Sequence, residues 1–194
     1  MPCNTRATIQ SGLRVENSSM SVEKLLEFRS RKDALFASSQ SPLPEVVREG
    51  FAGLKYFDSD PNLEFQVHLK PLSNFEHIGM ETSSGVRKFF VRAGILEFQV
   101  DGQTVQLSAY SNPESEDAGL FIPFRDATSG TETYGSGRYL DTELEVDGTV
   151  KLNFNLAYNP YCAYSDGWSC PIPPLENWLK VPIRAGEKIF REPS

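Results

Sequence analysis

Apolar positions first recur with a helical period. From Ser21 the chain reads SVEKLLEFRSRKDALF, and Val22, Leu25, Leu26, Phe28, Leu35 and Phe36 mark one broad apolar face. Ser21 suits an N-cap, because its hydroxyl can accept from an amide of the first turn. Arg29, Arg31, Lys32 and Asp33 lie away from most of that face. The pattern therefore predicts a helix docked on the outside of a domain. Pro42 and Pro44 then open a short helix through Glu45–Glu49, and Asp58–Asn62 reads as a turn.

Beyond Asn62 the period falls from about 3.6 residues to about 2. Phe65, Val67 and Leu69 alternate with Gln66, His68 and Lys70, the pattern of a half-buried strand. Two runs, Phe75–Glu81 and Val86–Arg92, flank a turn at Ser83–Gly85. ILEFQV and QTVQLSAY flank Asp101–Gly102, a type I′ hairpin that sets Phe98 opposite Val105 and Leu96 opposite Leu107. Leu120–Phe124 is a further strand. RDATSGTETYGSG follows as a flexible loop; no Gly-Lys-Ser/Thr ends it, so it is not a phosphate-binding P-loop.

The last hairpin, RYLDTELEVDGTVKLNFNLA, matches its apolar faces only around a three-residue turn with a Gly bulge, Val146–Gly148. Leu144 then meets Val150, Leu140 meets Phe154 and Arg138 meets Leu156. The other face pairs Glu143 with Lys151, Asp141 with Asn153 and Tyr139 with Asn155. KVPIRAGEKIF closes the chain as a short strand or extended tail. Roughly eight short strands with no β-α alternation predict an all-β fold, a mostly antiparallel barrel or two-sheet sandwich with the N-terminal helix packed outside.

Composition narrows the function classes. A chain of 194 residues is long enough for one cored domain, expected over residues 20–194. Residues 1–19 are polar and aperiodic; they are expected to form a disordered tail, or Met20 to be the natural start. With 26 acidic and 19 basic residues the net charge is -7, which repels phosphate backbones and anionic lipid. The bases are scattered, so neither nucleic acid nor membrane is expected as a partner. No secretory segment or bilayer-length apolar run is present, which points to the cytoplasm.

The stretch Asn153–Trp178, NFNLAYNPYCAYSDGWSCPIPPLENW, concentrates the candidate chemistry. It holds two of the three cysteines and both tryptophans. Cys162 and Cys170 allow a disulfide, a metal site or a nucleophilic thiol, beside two unreactive thiols packed among aromatics. Only His68 and His77 are available to complete a metal site, a weak match. The quartet Tyr139, Asp141, Asn153 and Asn155 is either solvated surface or a polar lining. Arg125 and Arg138, with Asp126 and Asp141, either pin the glycine loop or clamp an anionic ligand.

GRYLD (Gly137–Asp141), LNFNLAYNPYCAY (Leu152–Tyr164), CPIPPLENWL (Cys170–Leu179), IRAGEK (Ile183–Lys188) and FAGLKYF (Phe51–Phe57) resemble the prokaryotic family catalogued as domain of unknown function 1684. The likeness runs from about Leu43 to Lys188. The family pattern carries Asp-Phe-Asn where this chain has Asn153-Phe154-Asn155, so no acid-base role passes to Asn153. The resemblance implies treating Arg138, Asp141, Asn155, Tyr158, Asn159, Cys162, Cys170 and Asn177 as one constellation.

The leading expectation is a small polar molecule bound in a barrel-end pocket capped by residues 158–178. Arg138, Asp141, Asn155, Tyr158, Asn159 and Asn177 would supply polar contacts and Trp168 an aromatic wall. The alternative is a hydrolase or isomerase with Asp141 and Tyr158 as acid and base, or Cys162 as nucleophile. Further readings are a structural metal at Cys162 and Cys170, and a protein-interaction module. No motif names a cofactor, and homo-oligomerisation stays open.

Overall fold

Residues 20–113 and 119–190 are described by the computed structural model. The expected tail over residues 1–19, with Cys3, lies outside the described residues. Helix α1 (Val22–Ala37) begins where Ser21 accepts from the Lys24 amide at 3.3 Å. Its buried positions are Leu25, Phe28, Lys32 and Phe36, a narrower stripe than the six apolar residues predicted. Val22 and Leu26 remain 54% and 56% exposed. Lys32 is a correction: one turn after Phe28 and one before Phe36, it falls on the packed face rather than away from it. Helix α2 (Glu45–Arg48) follows.

Among the described residues seven strands come next: β1 (Glu64–His68), β2 (Lys70–Glu81), β3 (Arg87–Val100), β4 (Gln103–Ser111), β5 (Gly119–Phe124), β6 (Arg138–Glu143) and β7 (Thr149–Asn153). They form a five-stranded sheet, β2-β3-β4-β5-β6, and a two-stranded sheet, β1-β7, with antiparallel pairing throughout. The outer strands β2 and β6 are not paired with each other, so the sheet does not close into a barrel. The architecture is the sandwich.

The Asp101–Gly102 hairpin forms in the expected register, with Phe98 opposite Val105 and Leu96 opposite Leu107. Asp101 and Gly102 both take positive φ, 49° and 74°, as a type I′ turn requires. Strand β3 is longer than predicted because the Val86–Arg92 and ILEFQV runs join through a bulge. Arg92 faces Tyr110 while Gly94 faces Ala109, leaving Ala93 as the extra residue. One added residue reverses the side that later side chains take. Leu96 and Phe98 therefore enter the main core with Leu107, Ile122, Leu140 and Leu152, whereas Phe90 joins Tyr110, Phe121 and Tyr139 on the opposite face.

The last hairpin starts as predicted and then parts. Leu144 bridges Val150, but Asp141 pairs with Phe121 in one sheet and Asn153 with Glu64 in the other. The expected Asp141–Asn153 pairing is thus overturned. Leu140 and Phe154 do share the core; their apolar match operates across the sandwich instead of within a ladder.

The glycine loop is also tied down rather than open. Asp126, Thr128 and Thr133 are buried; the Asp126 carboxylate accepts from the Thr128 amide at 2.7 Å, and the Gly130 amide donates to the Thr133 carbonyl at 2.9 Å. The C-terminal segment runs as an extended tail with Val181, Ile183 and Ala185 buried in the main core. Tyr56 bridges Glu187 there.

The second face of the large sheet is covered by residues 158–178. Tyr139 and Tyr158 exchange backbone bonds of 2.8 and 2.9 Å at one side of this cover. At the other side the Ser83 amide donates to the Cys170 carbonyl at 2.9 Å, and the Cys170 amide donates to Ser83 Oγ at 3.1 Å. The Tyr139 hydroxyl donates to the Pro171 carbonyl between these anchors.

Candidate functional site

Four expected ligand contacts have polar groups engaged with the protein's own frame. Arg138 is fully buried and donates to the Asp126 carboxylate at 2.8 Å and to the carbonyls of Ile183 (2.7 Å), Ala185 and Glu187 (3.2 Å). Asn155 clamps both backbone groups of Asp60, its Oδ1 accepting from the amide and its Nδ2 donating to the carbonyl, each at 2.9 Å. Asn159 donates from its amide to Glu187 Oε2 at 2.8 Å and from Nδ2 to the Lys188 carbonyl at 2.9 Å.

Asn177 fills the gap where β4 and β5 separate. Its Oδ1 accepts from the Ser108 amide at 2.7 Å, and its Nδ2 donates to the carbonyls of Ser108 (2.9 Å) and Pro123 (2.7 Å). The side chain acts as a missing rung of the sheet, which answers the rule that buried backbone groups be paired. Asn177→Asp keeps the shape but turns a donor pair into an acceptor facing two carbonyls. We expect it to lower the urea-unfolding free energy by about 2–3 kcal/mol.

A second group centres on Glu187, 1% exposed. Its carboxylate accepts from Lys32 Nζ, from the Tyr164 hydroxyl and from the Asn159 amide. Lys32 Nζ also lies 5.0 Å from the centroid of the Tyr158 ring. The Tyr158 hydroxyl in turn donates to Asp141 Oδ2 at 2.7 Å. Burial, reinforced by these carboxylates, raises both phenols above their ordinary range: Tyr164 beside Glu187 and Tyr158 beside Asp141. They stay protonated and act as donors.

The third group is the thiol pair. Cys162 and Cys170 are not disulfide-bonded, and both sulfur residues pack on the Tyr110–Phe121–Tyr139 cluster. Cys170 is buried and Cys162 half-buried. Cys162 follows Tyr161 in a single turn of 3-10 helix, Tyr161–Ala163, that begins after Pro160. The Tyr134 hydroxyl donates to Cys162 Sγ across 3.7 Å. The Cys162 thiol is pushed down to about 7, first by a hydrogen bond from the Cys170 thiol; burial opposes this, and bonds from Tyr134, Ser83 and the Cys162 amide assist it. Tyr134 is pushed up to about 12 by burial and by the negative charge of Cys162. Trp168 packs against the same cluster as the two cysteines, 4.8 Å from Tyr161 between ring centroids.

The sequence brought Cys162, Cys170 and Trp168 together, and the structure does so as well. Asp141 and Tyr158 form a couple adjoining the same aromatic cover. Tyr134 and Ser83 escaped sequence reasoning, because the glycine loop and the β2–β3 turn carry no spacing that ties them to a thiol. Lys32 and Glu187 were missed too, although the 28-32-36 spacing was a signal that Lys32 is buried. Among the described residues, no group of three or more His, Cys, Asp or Glu is placed to hold a metal ion. No described helix is long and apolar enough to cross a membrane.

Comparison with known proteins agrees with this architecture. The chain is 39% identical to an uncharacterised protein from gene locus rrnAC0354 of Haloarcula marismortui, whose solution NMR structure superposes with a TM-score of 0.68. The match covers 86% of this chain and 92% of that one. No curated protein matches the chain. Residues 49–188 match the family described as protein of unknown function DUF1684. That span takes in both sheets and the aromatic cover, and the chain belongs to this family.

Proposed function

We propose that the chain acts on a small polar molecule as a thiol-dependent enzyme of the hydrolase type, with Cys162 as nucleophile. The carrying observation is the arrangement of donors on one half-exposed sulfur. Cys170 and Tyr134 both direct hydrogens at Cys162 Sγ, which favours the thiolate on the less buried of the two cysteines. A thiolate, not a thiol, is the attacking species.

The substrate would lie against Trp168, with Asp141 and Tyr158 as the nearby polar contacts. Attack forms a bond from Cys162 Sγ to an electrophilic carbon and displaces its leaving group, which takes its proton from the Tyr134 hydroxyl. Water then attacks the same carbon and gives its proton to the Tyr134 phenolate, and the carbon–sulfur bond breaks to release the product and restore the Cys162 thiolate. Arg138, Asn155, Asn159 and Asn177 serve this reading by holding the frame. The cytoplasm, a reducing compartment, suits a site that works as a thiolate.

Alkylation tests it. Iodoacetamide labelling of Cys162, followed by peptide mass mapping against pH, should rise to half its maximal rate near pH 7. Tyr134→Phe should move that midpoint upward, and Cys162→Ser should remove the label. Protection of Cys162 by a member of a polar metabolite panel would identify the substrate class. A midpoint near the ordinary thiol value, or no labelling of the folded protein, would reject the proposal.

A further inference from the structure

We infer that Cys170 is the resolving partner of Cys162, and that the pair reduces hydroperoxides by closing a Cys162–Cys170 disulfide. The inference rests on the reading of Cys162 as the reactive thiolate and adds a second activity to it.

Three observations carry it. The two sulfurs differ in access, since Cys162 is half-buried and Cys170 is buried. A small neutral peroxide therefore meets Cys162 first. Cys170 is held in place from both sides of its peptide, its amide on Ser83 Oγ and its carbonyl on the Ser83 amide. Cys162 packs against the same aromatic cluster that holds Cys170, and the Cys170 thiol hydrogen-bonds its sulfur, so the anchored thiol lies beside its target. The segment between them contains exposed Asp166 and Gly167, and Gly167 adopts φ 95°. A turn of that kind at the surface can take up the adjustment that a sulfur–sulfur bond requires without disturbing the sheet. With no third ligand near the two thiols among the described residues, redox pairing fits them better than metal binding.

The chemistry balances in two steps. Cys162 thiolate attacks the outer oxygen of the peroxide. The sulfur–oxygen bond forms, the oxygen–oxygen bond breaks, and the departing alkoxide or hydroxide takes a proton from water. Cys162 is now a sulfenic acid. The Cys170 sulfur then attacks the Cys162 sulfur; the disulfide forms, and the hydroxyl leaves as water with the Cys170 proton. The peroxide has gained two electrons and the dithiol has lost them. An external dithiol such as dithiothreitol restores the pair by exchange.

The test uses the full chain carrying Cys3→Ser, so that only the pair responds. The reduced protein is treated with hydrogen peroxide at neutral pH and its intact mass and peptides are measured. A loss of two hydrogens, a Cys162–Cys170 cross-linked peptide and reversal by dithiothreitol are expected. Cys170→Ser should instead stop at one added oxygen on Cys162, trapped by dimedone, with no cross-link. If Cys162 alkylates at neutral pH but the parent chain gives the same oxygen adduct as Cys170→Ser, the resolving role is overturned and the nucleophile stands. If Cys162 resists both iodoacetamide and peroxide, both readings fall.

Discussion

Glu187→Ala is expected to destabilise the protein by about 3–5 kcal/mol, the cost of leaving a buried charge without its partner. Glu187 and Lys32 are 1% and 5% exposed. Alanine at 187 would strand the Lys32 ammonium against the Tyr158 ring, and would strip acceptors from the Tyr164 hydroxyl and the Asn159 amide. Chemical denaturation read by tryptophan fluorescence gives the midpoint, and an unchanged slope would confirm that stability alone has moved. The companion experiment is a double-mutant cycle. Lys32→Met with Glu187→Gln removes both charges while keeping an acceptor for Tyr164 and Asn159. The double variant should be more stable than the sum of the single effects, by more than about 1 kcal/mol. Simple additivity would mean that the pair is not coupled.

Arg138→Met should cost a similar amount, about 3–5 kcal/mol. The guanidinium joins Asp126 in the glycine loop to three carbonyls of the C-terminal segment, so its loss leaves the Asp126 carboxylate without its cation. Arg138→Lys separates charge from geometry. An ammonium keeps the positive charge but cannot span a carboxylate and three carbonyls as a planar fork does. A smaller loss, about 1–3 kcal/mol, is expected from the abandoned hydrogen bonds. Equal stability of the lysine variant and the parent would show that charge alone is needed.

Legibility from sequence followed the range of the interaction. The Asp101–Gly102 hairpin was readable because its turn chemistry and its apolar pairs lie within a few residues. The Leu140–Phe154 match was readable as contact, but a period of two cannot say whether two residues meet in one ladder or across two layers. The Ala93 bulge was hidden because one inserted residue leaves the composition of both half-strands ordinary; it made two predicted strands into β3. Lys32 was misplaced because its partner Glu187 stands 155 residues away. At the candidate site, Cys162, Cys170 and Trp168 share one stretch and were found together. Tyr134 and Ser83 reach the same sulfur from distant turns, and only folding introduces them.

The Lys32–Glu187 pair also bears on what a family boundary means. The recognisable family region starts at residue 49, beyond the end of α1. The boundary of the family model therefore separates the two members of a buried ion pair. A fragment trimmed to residues 49–188 would keep the Glu187 anion and discard the Lys32 cation. The first helix works as a clasp: it cannot peel away without abandoning a charge in the interior, and that couples its docking to the integrity of the C-terminal segment.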